Sequence, residues 1–283
     1  MAPDQQQQSH MAAACYPRLI WAALHTFGLG LLWLCGAWSP LSLSSPISVI
    51  VDALAFFTLS FYAAASLVDP GYLEQQPLPS AQKAPALPPA AQLNNTSPLL
   101  EPPHCVHCRA FQVARAKHCH DCGRCVERLD HHCWWLGSCV GRGNHRLFLT
   151  YLTFEASLLV VTGATAATRG IAADAKLRDA ASPWPPVAIG CAFACVAMCG
   201  VLGLLALTLL AFQCGLILRG ETTWEHLRRE RINAAMQLPP HVRPYDGGPT
   251  HNVLSFLQGG ARSRNAAVLA GILPKPAKSL AAA

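Results

Sequence analysis

The fold of this chain is decided by the stretch CVHCRAFQVARAKHCHDCGRCVERLDHHCWWLGSC, residues 105–139. Seven of the 13 cysteines of the 283-residue chain lie inside it, interspersed with histidines. Two Cys-x2-Cys pairs, Cys105/Cys108 and Cys119/Cys122, have the spacing of zinc ligands. The crowding of thiols and imidazoles in one short window favours a metal site over a secreted disulfide framework.

Counting ligands limits how this window can bind metal. Structural zinc is held by four ligands in a closed tetrahedron, so two ions need eight ligands, and seven cysteines require at least one histidine. If one cysteine is reserved for chemistry, six cysteines and two histidines complete two Cys3His sites. The count alone does not say which cysteine is spare. If all seven cysteines are ligands, the module is a rigid zinc clip that binds another protein.

The tetrapeptide Asp130-His131-His132-Cys133 favours a nucleophile over a purely structural clip. A thiolate is the reactive form of cysteine, and a neighbouring imidazole removes the thiol proton or lowers the thiol pKa. A carboxylate then fixes the tautomer and orientation of that imidazole. Asp130, His131 and Cys133 supply these three groups.

Outside this window the chain is apolar. Hydrophobic residues make up 52% of it and charged residues 13%, with a mean hydropathy of +0.27, whereas soluble domains carry about 25% charge. Four apolar runs are long enough to cross roughly 30 Å of hydrocarbon. They are residues 20–38, 47–68, 148–167 and 187–210, the last continuing as helix to 218. The expected fold is therefore an all-α polytopic membrane protein with four transmembrane helices and a small zinc-bound cysteine-rich domain, 104–147, in the cytosolic loop between helices 2 and 3.

Three further segments are predicted to be polar and cytosolic. Residues 1–19 form an N-terminal tail, with 1–17 expected to be disordered, 69–103 a flexible Pro- and Ala-rich linker, and 219–283 the C-terminal tail. Of the 21 Lys and Arg residues, all but Arg169, Lys176 and Arg178 lie on the side of the cysteine-rich domain. The positive-inside rule then places both termini and that domain in the cytosol, where thiols stay reduced.

Motifs beyond the tetrapeptide resemble those of the DHHC-type zinc-finger protein S-acyltransferases, the palmitoyltransferase family. They are Asp69-Pro70-Gly71 after the second span, Cys-Val-Gly-x-x-Asn-x-x-x-Phe at 139–148, Thr222-Thr223-x-Glu225 after the fourth span, and Asn252 in the tail after Pro244-Tyr245-Asp246. The resemblance extends from the first span to about residue 257.

The resemblance implies a role for each residue that matches a family motif. It implies one structural Zn²⁺ held by Cys105, Cys108, His118 and Cys125, and a second held by Cys119, Cys122, His132 and Cys139. Cys133 would be the nucleophile, His131 its base and Asp130 the orienting acid. Supporting roles would fall to Thr222, Thr223, Glu225 and Asn252. A threonine of the Thr-Thr-x-Glu motif would contact Asp130, and Thr222 with Glu225 also fits a helix capping box.

The expected activity is transfer of a long-chain acyl group, palmitoyl by the resemblance, from acyl-CoA to cysteines of proteins at the cytosolic membrane face. It would proceed by a ping-pong mechanism through acyl-Cys133, in the endoplasmic reticulum or Golgi. The alternative is a zinc-binding membrane scaffold or pseudoenzyme that binds partners without acyl transfer. Nucleic acid is not an expected partner, because the flanking spans tie the zinc module to the bilayer.

Two positions depart from the family pattern. Trp134 and Ser138 stand where the family usually has proline and asparagine. Trp134 would either loosen the placement of the nucleophile or pack against the membrane interface.

The other polar residues are expected to be solvated, to pack within the spans or to contact phosphate groups. His104, His107, His120 and His145 are expected to be solvated or to support ligands from outside. His25, Asp52 and Glu155 lie in spans, His25 as a hydrogen-bonded packing residue and the acids near the interface or neutral. Basic residues near the zinc sites and after the fourth span fit anionic lipid headgroups or the phosphates of coenzyme A equally. They are Arg109, Arg115, Lys117, Arg124, Arg128, Arg228, Arg229 and Arg231.

Overall fold

A computed structural model describes residues 3–73, 104–105, 107–108, 110–111, 115–177 and 185–259. The predicted linker from 74 to 103, Arg109, Arg178 and the tail from 260 onward lie outside the described residues. The described chain consists of four long helices, three small β-hairpins and three short C-terminal helices.

The four long helices form one packed bundle. They are α1 (Pro3–Leu34), α2 (Pro46–Leu67), α3 (His145–Leu177) and α4 (Pro185–Leu218). Helix α3 packs against α2 and α4, and α1 packs against α4. The start of α2 is fixed locally, because the Ser45 side chain caps the helix at Ser48 N and Pro46 occupies the first turn. The bundle core combines Leu32, Val51, Leu159 and Cys195 from the four helices.

The first helix differs from the sequence-based expectation. The segment up to Pro17 was predicted to be disordered, yet α1 begins at Pro3. Glutamine and alanine, which dominate this segment, are good helix formers, and proline fits the first helical position. A chain with no hydrophobic period can therefore still extend a helix that is nucleated by the apolar run following it.

Three helices are long and apolar enough to cross a membrane among the residues that the structure describes: Pro46–Leu67, His145–Arg169 and Pro186–Leu218. Many large apolar side chains on α2 and α4 are exposed, including Phe56, Phe193 and Leu204. Lipid would cover such a surface where water would not. The helices thus fit a multi-pass membrane protein, and the fourth span expected over 20–38 is not among these three.

The cysteine-rich module consists of three antiparallel two-stranded hairpins. Strands β1 (His104–Cys105) and β2 (Ala110–Phe111) pair first, followed by β3 (Lys117–Cys119) with β4 (Arg124–Val126) and β5 (His131–Cys133) with β6 (Ser138–Val140). In the last two hairpins a histidine lies directly opposite a cysteine, His118 opposite Cys125 and His132 opposite Cys139. Gly137 closes the β5–β6 turn at φ 60°, a conformation that glycine adopts without a Cβ penalty.

The Asp69-Pro70-Gly71 segment attaches α2 to this module. The Asp69 carboxylate accepts hydrogen bonds from the backbone N–H groups of Gly71 (2.7 Å) and Tyr72 (2.8 Å). Gly143 N donates to Pro70 O at 3.0 Å. A Cβ on Gly143 would collide with the Asp69 carbonyl oxygen, so glycine is required where the two segments cross.

Three short helices follow the bundle: α5 (Thr223–Leu227), α6 (Arg229–Ala235) and α7 (Pro249–Leu257). Helix α7 packs against α4. Asn252 in α7 donates through Nδ2 to Leu218 O (2.9 Å) and to Asp246 Oδ1 (2.8 Å), while its Oδ1 accepts from Gly247 N (3.0 Å). Asn252 therefore holds the C-terminal segment to the end of α4.

Candidate active site

Strand β5 places its three residues on two faces. Successive side chains of a strand point to opposite sides, so His131 and Cys133 share one face and His132 takes the other. The metal cluster of His132 therefore lies behind the strand, and His131 and Cys133 face the helices. The alternation of side chains along this three-residue strand therefore puts the candidate metal ligand on one side and the candidate catalytic residues on the other.

His131 is oriented by the residue before it. Its Nδ1 lies 2.7 Å from Asp130 Oδ2, which leaves Nε2 as the ring nitrogen available to Cys133. Asp130 is almost completely buried, and Cys133 is 8% exposed. The three predicted catalytic residues are thus brought together in the order acid, imidazole and thiol.

Electrostatics favour charge on both members of the Asp130–His131 pair. Burial alone would raise the pKa of the Asp130 carboxyl, but nearby His145 and the hydrogen bonds from His131 and Thr223 N hold this pKa well below its usual range. Burial would lower the pKa of His131, but hydrogen bonds to Asp130 and Cys133 raise this pKa to about 10. An imidazole in this setting accepts and holds a proton readily.

The Thr222-Thr223-x-Glu225 motif meets Asp130 directly. Thr223 donates its backbone N–H to Asp130 Oδ1 (2.8 Å) and its hydroxyl to Asp130 Oδ2 (2.8 Å). Thr222 and Glu225 form the capping box at the start of α5. Glu225 also accepts a bidentate pair from Arg115, at 2.7 Å from Nε and 2.6 Å from Nη2. The motif therefore both caps α5 and contacts Asp130. The guanidinium of Arg115 is bound within the protein by Glu225.

Cys133 lies at the top of an apolar cluster built by three of the four long helices. The cluster includes Trp21 of α1, Tyr62 of α2 and Tyr151 of α3. Trp21 stacks on Tyr62 with ring centroids 3.9 Å apart and donates Nε1–H to Tyr151 OH at 2.9 Å. A separate, narrow apolar cavity lies between α1, α3 and α4, lined in part by Leu24, Leu158 and Met198.

Two groups of ligand atoms lie close enough to hold a metal ion. They are Cys105, Cys108, His118 and Cys125, and Cys119, Cys122, His132 and Cys139, with all ligand atoms of a group within 4.8 Å of one another. Both histidines face their thiols through Nδ1, His118 at 3.2 Å from Cys108 Sγ and His132 at 3.3 Å from Cys122 Sγ. Tetrahedral bonds of about 2.0–2.3 Å place ligands roughly 3.4–3.8 Å apart, so each three-thiol, one-imidazole set fits Zn²⁺.

Two buried residues on α3 and α4 complete the surroundings of Asp130, and the sequence analysis did not single them out for this. Gln213 Nε2 donates to Asp130 Oδ2 at 2.9 Å, and Gln213 Oε1 lies 3.1 Å from His145 Nε2. Gln213 is 1% and His145 4% exposed. His145 was expected to be solvated or a support for the ligands, but it lies buried beside the carboxylate. The sequence signal that could have indicated this contact is a glutamine, Gln213, within the apolar run of α4.

The three ionisable residues expected within spans, His25, Asp52 and Glu155, each have a hydrogen-bond partner. His25 Nε2 lies 3.0 Å from Glu155 Oε2 and its Nδ1 2.8 Å from Trp21 O. Asp52 accepts from Trp38 Nε1 at 3.0 Å, beside the α1–α2 loop. These contacts agree with hydrogen-bonded packing for His25 and an end-of-helix position for Asp52.

The two positions that depart from the family pattern lie in or beside the β5–β6 hairpin. Trp134 is 49% exposed, and its ring meets Trp135 edge-on at 5.1 Å and Tyr16 at 6.5 Å. Ser138 is buried opposite Cys133 in the β-sheet register. Cys133 thus remains in a paired strand although Trp134 follows it.

Known proteins share this sequence pattern. A family model described as DHHC palmitoyltransferase matches residues 100–230. The mouse protein named "Palmitoyltransferase ZDHHC12" is 36% identical over 208 residues, covering 73% of this chain and 72% of the relative. The human protein of that name is 34% identical over 212 residues, with the same two coverages of 73% and 72%. "Protein S-acyltransferase 10" of Arabidopsis thaliana is 34% identical over 155 residues, 55% of this chain and 43% of the relative.

Proposed function

Because this chain belongs to the DHHC palmitoyltransferase family and is a protein S-acyltransferase, we propose that its acyl group passes through Cys133, with His131 as base and Asp130 as orienting acid. The observation that carries this assignment is the arrangement on β5. His131 and Cys133 share one face, Asp130 bonds the far side of the imidazole at 2.7 Å, and the thiol meets the apolar cluster of the helices.

The first step forms the acyl-enzyme. Nε2 of His131 holds the proton of the Cys133 thiol, so that the imidazole is charged, and the Sγ thiolate attacks the thioester carbonyl of acyl-CoA. The C–S bond to coenzyme A breaks, and its sulfur leaves with the proton as a free thiol. Asp130 keeps the imidazole in the orientation that this transfer needs.

The second step regenerates the enzyme. A cysteine thiol of the acceptor protein gives its proton to His131, and the resulting thiolate attacks the acyl-Cys133 carbonyl. The C–S bond to Cys133 breaks, and the Cys133 sulfur takes the proton from His131. The product carries the acyl group in a new thioester. Donor and acceptor use the same nucleophile in turn, so the kinetics are ping-pong.

The acyl chain would lie among the helices next to Cys133. The cluster of Trp21, Tyr62 and Tyr151 gives the thiol an apolar surrounding within the bundle. Each CH2 group removed from water there contributes about 0.8 kcal/mol, which favours long-chain donors such as palmitoyl-CoA. Their coenzyme A moiety would remain on the polar side of the bundle.

Two structural Zn²⁺ ions would hold the module in shape. Cys105, Cys108, His118 and Cys125 would bind one ion, and Cys119, Cys122, His132 and Cys139 the other. Four protein ligands close each coordination sphere, so the metal supplies rigidity and leaves the reaction to Cys133 and His131.

The basic residues differ in whether a glutamate already binds their guanidinium groups. Arg115 is bound to Glu225, and Arg229 is held by Glu221 at 2.8 Å. Arg228 and Arg231 are exposed and line a groove of about 650 Å³ after α4. Phosphates of coenzyme A and of anionic lipids both suit arginine. Inhibition by free coenzyme A and binding to anionic vesicles, measured on an R228A/R231A variant, separates the two.

We further place the enzyme in the endoplasmic reticulum or Golgi membrane, with four spans, both termini and the zinc module on the cytosolic side. The distribution of Lys and Arg supports this orientation. Its acceptors would be cysteine-containing proteins at that membrane face.

Incubation of the purified full chain with palmitoyl-CoA carrying a detectable tail tests the assignment. We expect a hydroxylamine-labile label on the wild type and on the exposed-cysteine control Cys214→Ser, and none on Cys133→Ser. A labile label on folded Cys133→Ser would assign the nucleophile elsewhere. A zinc-loaded wild type that takes no label would favour the scaffold.

A further inference from the structure

Asp130 is held by more donors than the Thr-Thr-x-Glu motif supplies. Its Oδ2 lies within hydrogen-bonding distance of His131 Nδ1 (2.7 Å), Thr223 Oγ1 (2.8 Å) and Gln213 Nε2 (2.9 Å). Its Oδ1 accepts from Thr223 N (2.8 Å). Gln213 is the donor that comes from a long helix, α4.

The orientation of the Gln213 amide matters because an amide can present either its NH2 or its oxygen. Only the NH2 can donate to a carboxylate, whereas the oxygen would repel it. His145 Nε2 lies 3.1 Å from Gln213 Oε1. A protonated Nε2 on His145 donates to this oxygen and so keeps the NH2 turned toward Asp130.

The position of His145 is itself fixed. It is the first residue of α3, its backbone N–H donates to Gly141 O at 2.9 Å, and its ring meets Phe256 edge-on at 5.1 Å. Both His145 and Gln213 are buried, so water does not compete for these hydrogen bonds.

We propose that Gln213, oriented by His145, is a positioning residue of the acyl-transfer reaction that fixes the Asp130 carboxylate and through it the His131 imidazole. This inference rests on the proposed function of the Asp130–His131–Cys133 group. Neither residue touches the reacting thiol. Their effect on catalysis passes through Asp130.

The test measures single-turnover loading of Cys133 by palmitoyl-CoA in full-length variants. We expect Gln213→Leu to slow loading about tenfold or more, because a buried hydrogen bond to a charged group is lost, with the KM for palmitoyl-CoA unchanged. His145→Phe keeps the ring packing and removes the donor, so it should slow loading by a smaller factor. Thr208→Val, an exposed change on the same helix, is the matched control and should load at the wild-type rate.

A double-mutant comparison separates positioning from general structural support. In an Asp130→Asn background, Gln213→Leu should produce little further loss, because both changes remove the same interaction. A further tenfold loss in that background would overturn the inference, as would wild-type loading by Gln213→Leu.

Zinc content and melting temperature report whether each variant folds. If Gln213→Leu does not fold, the isosteric Gln213→Glu decides: slower loading supports the inference, and wild-type loading overturns it. A folded wild type that does not load at all overturns the proposed function, and this inference with it. Wild-type loading that is insensitive to Gln213 overturns the inference alone.

Discussion

At the scale of single residues, neighbouring threonines have different tasks. Thr223 bonds Asp130, whereas Thr222 caps α5. A sequence motif of two identical residues therefore combines catalytic support and local folding, and the two roles are separable by mutation.

We predict that Thr223→Val lowers the rate of acyl-enzyme formation about fivefold to tenfold. Valine keeps the shape and the backbone N–H but removes the hydroxyl that donates to Asp130 Oδ2, a loss of about 1 kcal/mol. Single-turnover loading measures the effect. An unchanged rate in a folded variant would show that the backbone N–H alone suffices.

Thr222→Val should act on stability. It removes the side-chain cap on Glu225 N, which costs about 1 kcal/mol, so the melting temperature should fall. The capping box also positions Glu225 for Arg115, and activity should fall less than with Thr223→Val. A larger activity loss from Thr222→Val than from Thr223→Val would contradict this division of roles.

At the scale of elements, we expect the hairpins to depend on metal. Strands of two or three residues in two-stranded sheets are not stable alone in water, and the small clusters inside the module consist largely of ligand cysteines. Zinc would therefore provide most of the module's stability.

We predict two zinc ions per chain and loss of the folded module on chelation. Metal analysis of the purified chain measures the first, and protease sensitivity between 104 and 140 after chelator treatment measures the second. Cys122→Ser should bind less than two ions, whereas Cys214→Ser should bind two. A full zinc complement in Cys122→Ser would reject the second ligand set.

A further prediction concerns the place where the segment after α2 crosses the cysteine-rich module. Gly143→Ala forces a Cβ against the Asp69 carbonyl oxygen, so we expect a lower melting temperature and weaker acyl-enzyme formation. In Gly123→Ala the cost is instead the positive φ of 63°, because the added Cβ meets no neighbouring atom within 4 Å. Equal melting temperatures for these two variants would mean that the contact with Asp69 is soft.

The two ligand sets followed from the family resemblance, because spacing and residue type alone left open which cysteine is spare. The structure brings the members of each set together. The sequence did not predict Gln213 or His145, since their importance comes from burial beside Asp130, and that depends on how α3 and α4 pack. The start of α1 was missed for a similar reason. A segment with high helix propensity but no hydrophobic period is not detected from its hydrophobic pattern. The adjoining apolar helix can still extend into such a segment.

At the scale of the whole molecule, the number of spans decides on which side the N-terminus lies. In the part of the chain that the structure describes, three helices are apolar enough to cross by composition, and α1 packs against α4 as a fourth member of the bundle. Helix α1 also contacts the active-site hairpin, because Arg18 Nε donates to Leu136 O at 3.0 Å.

We predict that acceptor tags for N-linked glycosylation stay unmodified at both termini, and that a tag inserted between Ser42 and Leu43 is modified. This result follows if α1 spans the bilayer and the zinc module is cytosolic. Glycosylation of the N-terminal tag together with the tag between Ser42 and Leu43 would place α1 at the membrane surface. Mobility shifts after glycosidase treatment read out each tag.

The alternation of strand β5 makes residue parity a functional property. Even-numbered His132 lies with the candidate metal ligands, while odd-numbered His131 and Cys133 lie on the face proposed for the reaction. Inserting one residue between His132 and Cys133 would therefore turn the Cys133 thiol to the face of the metal ligands, and deleting His132 would remove a ligand and turn the thiol in the same way. A change in the length of this segment therefore affects the candidate metal site and the reactive thiol together.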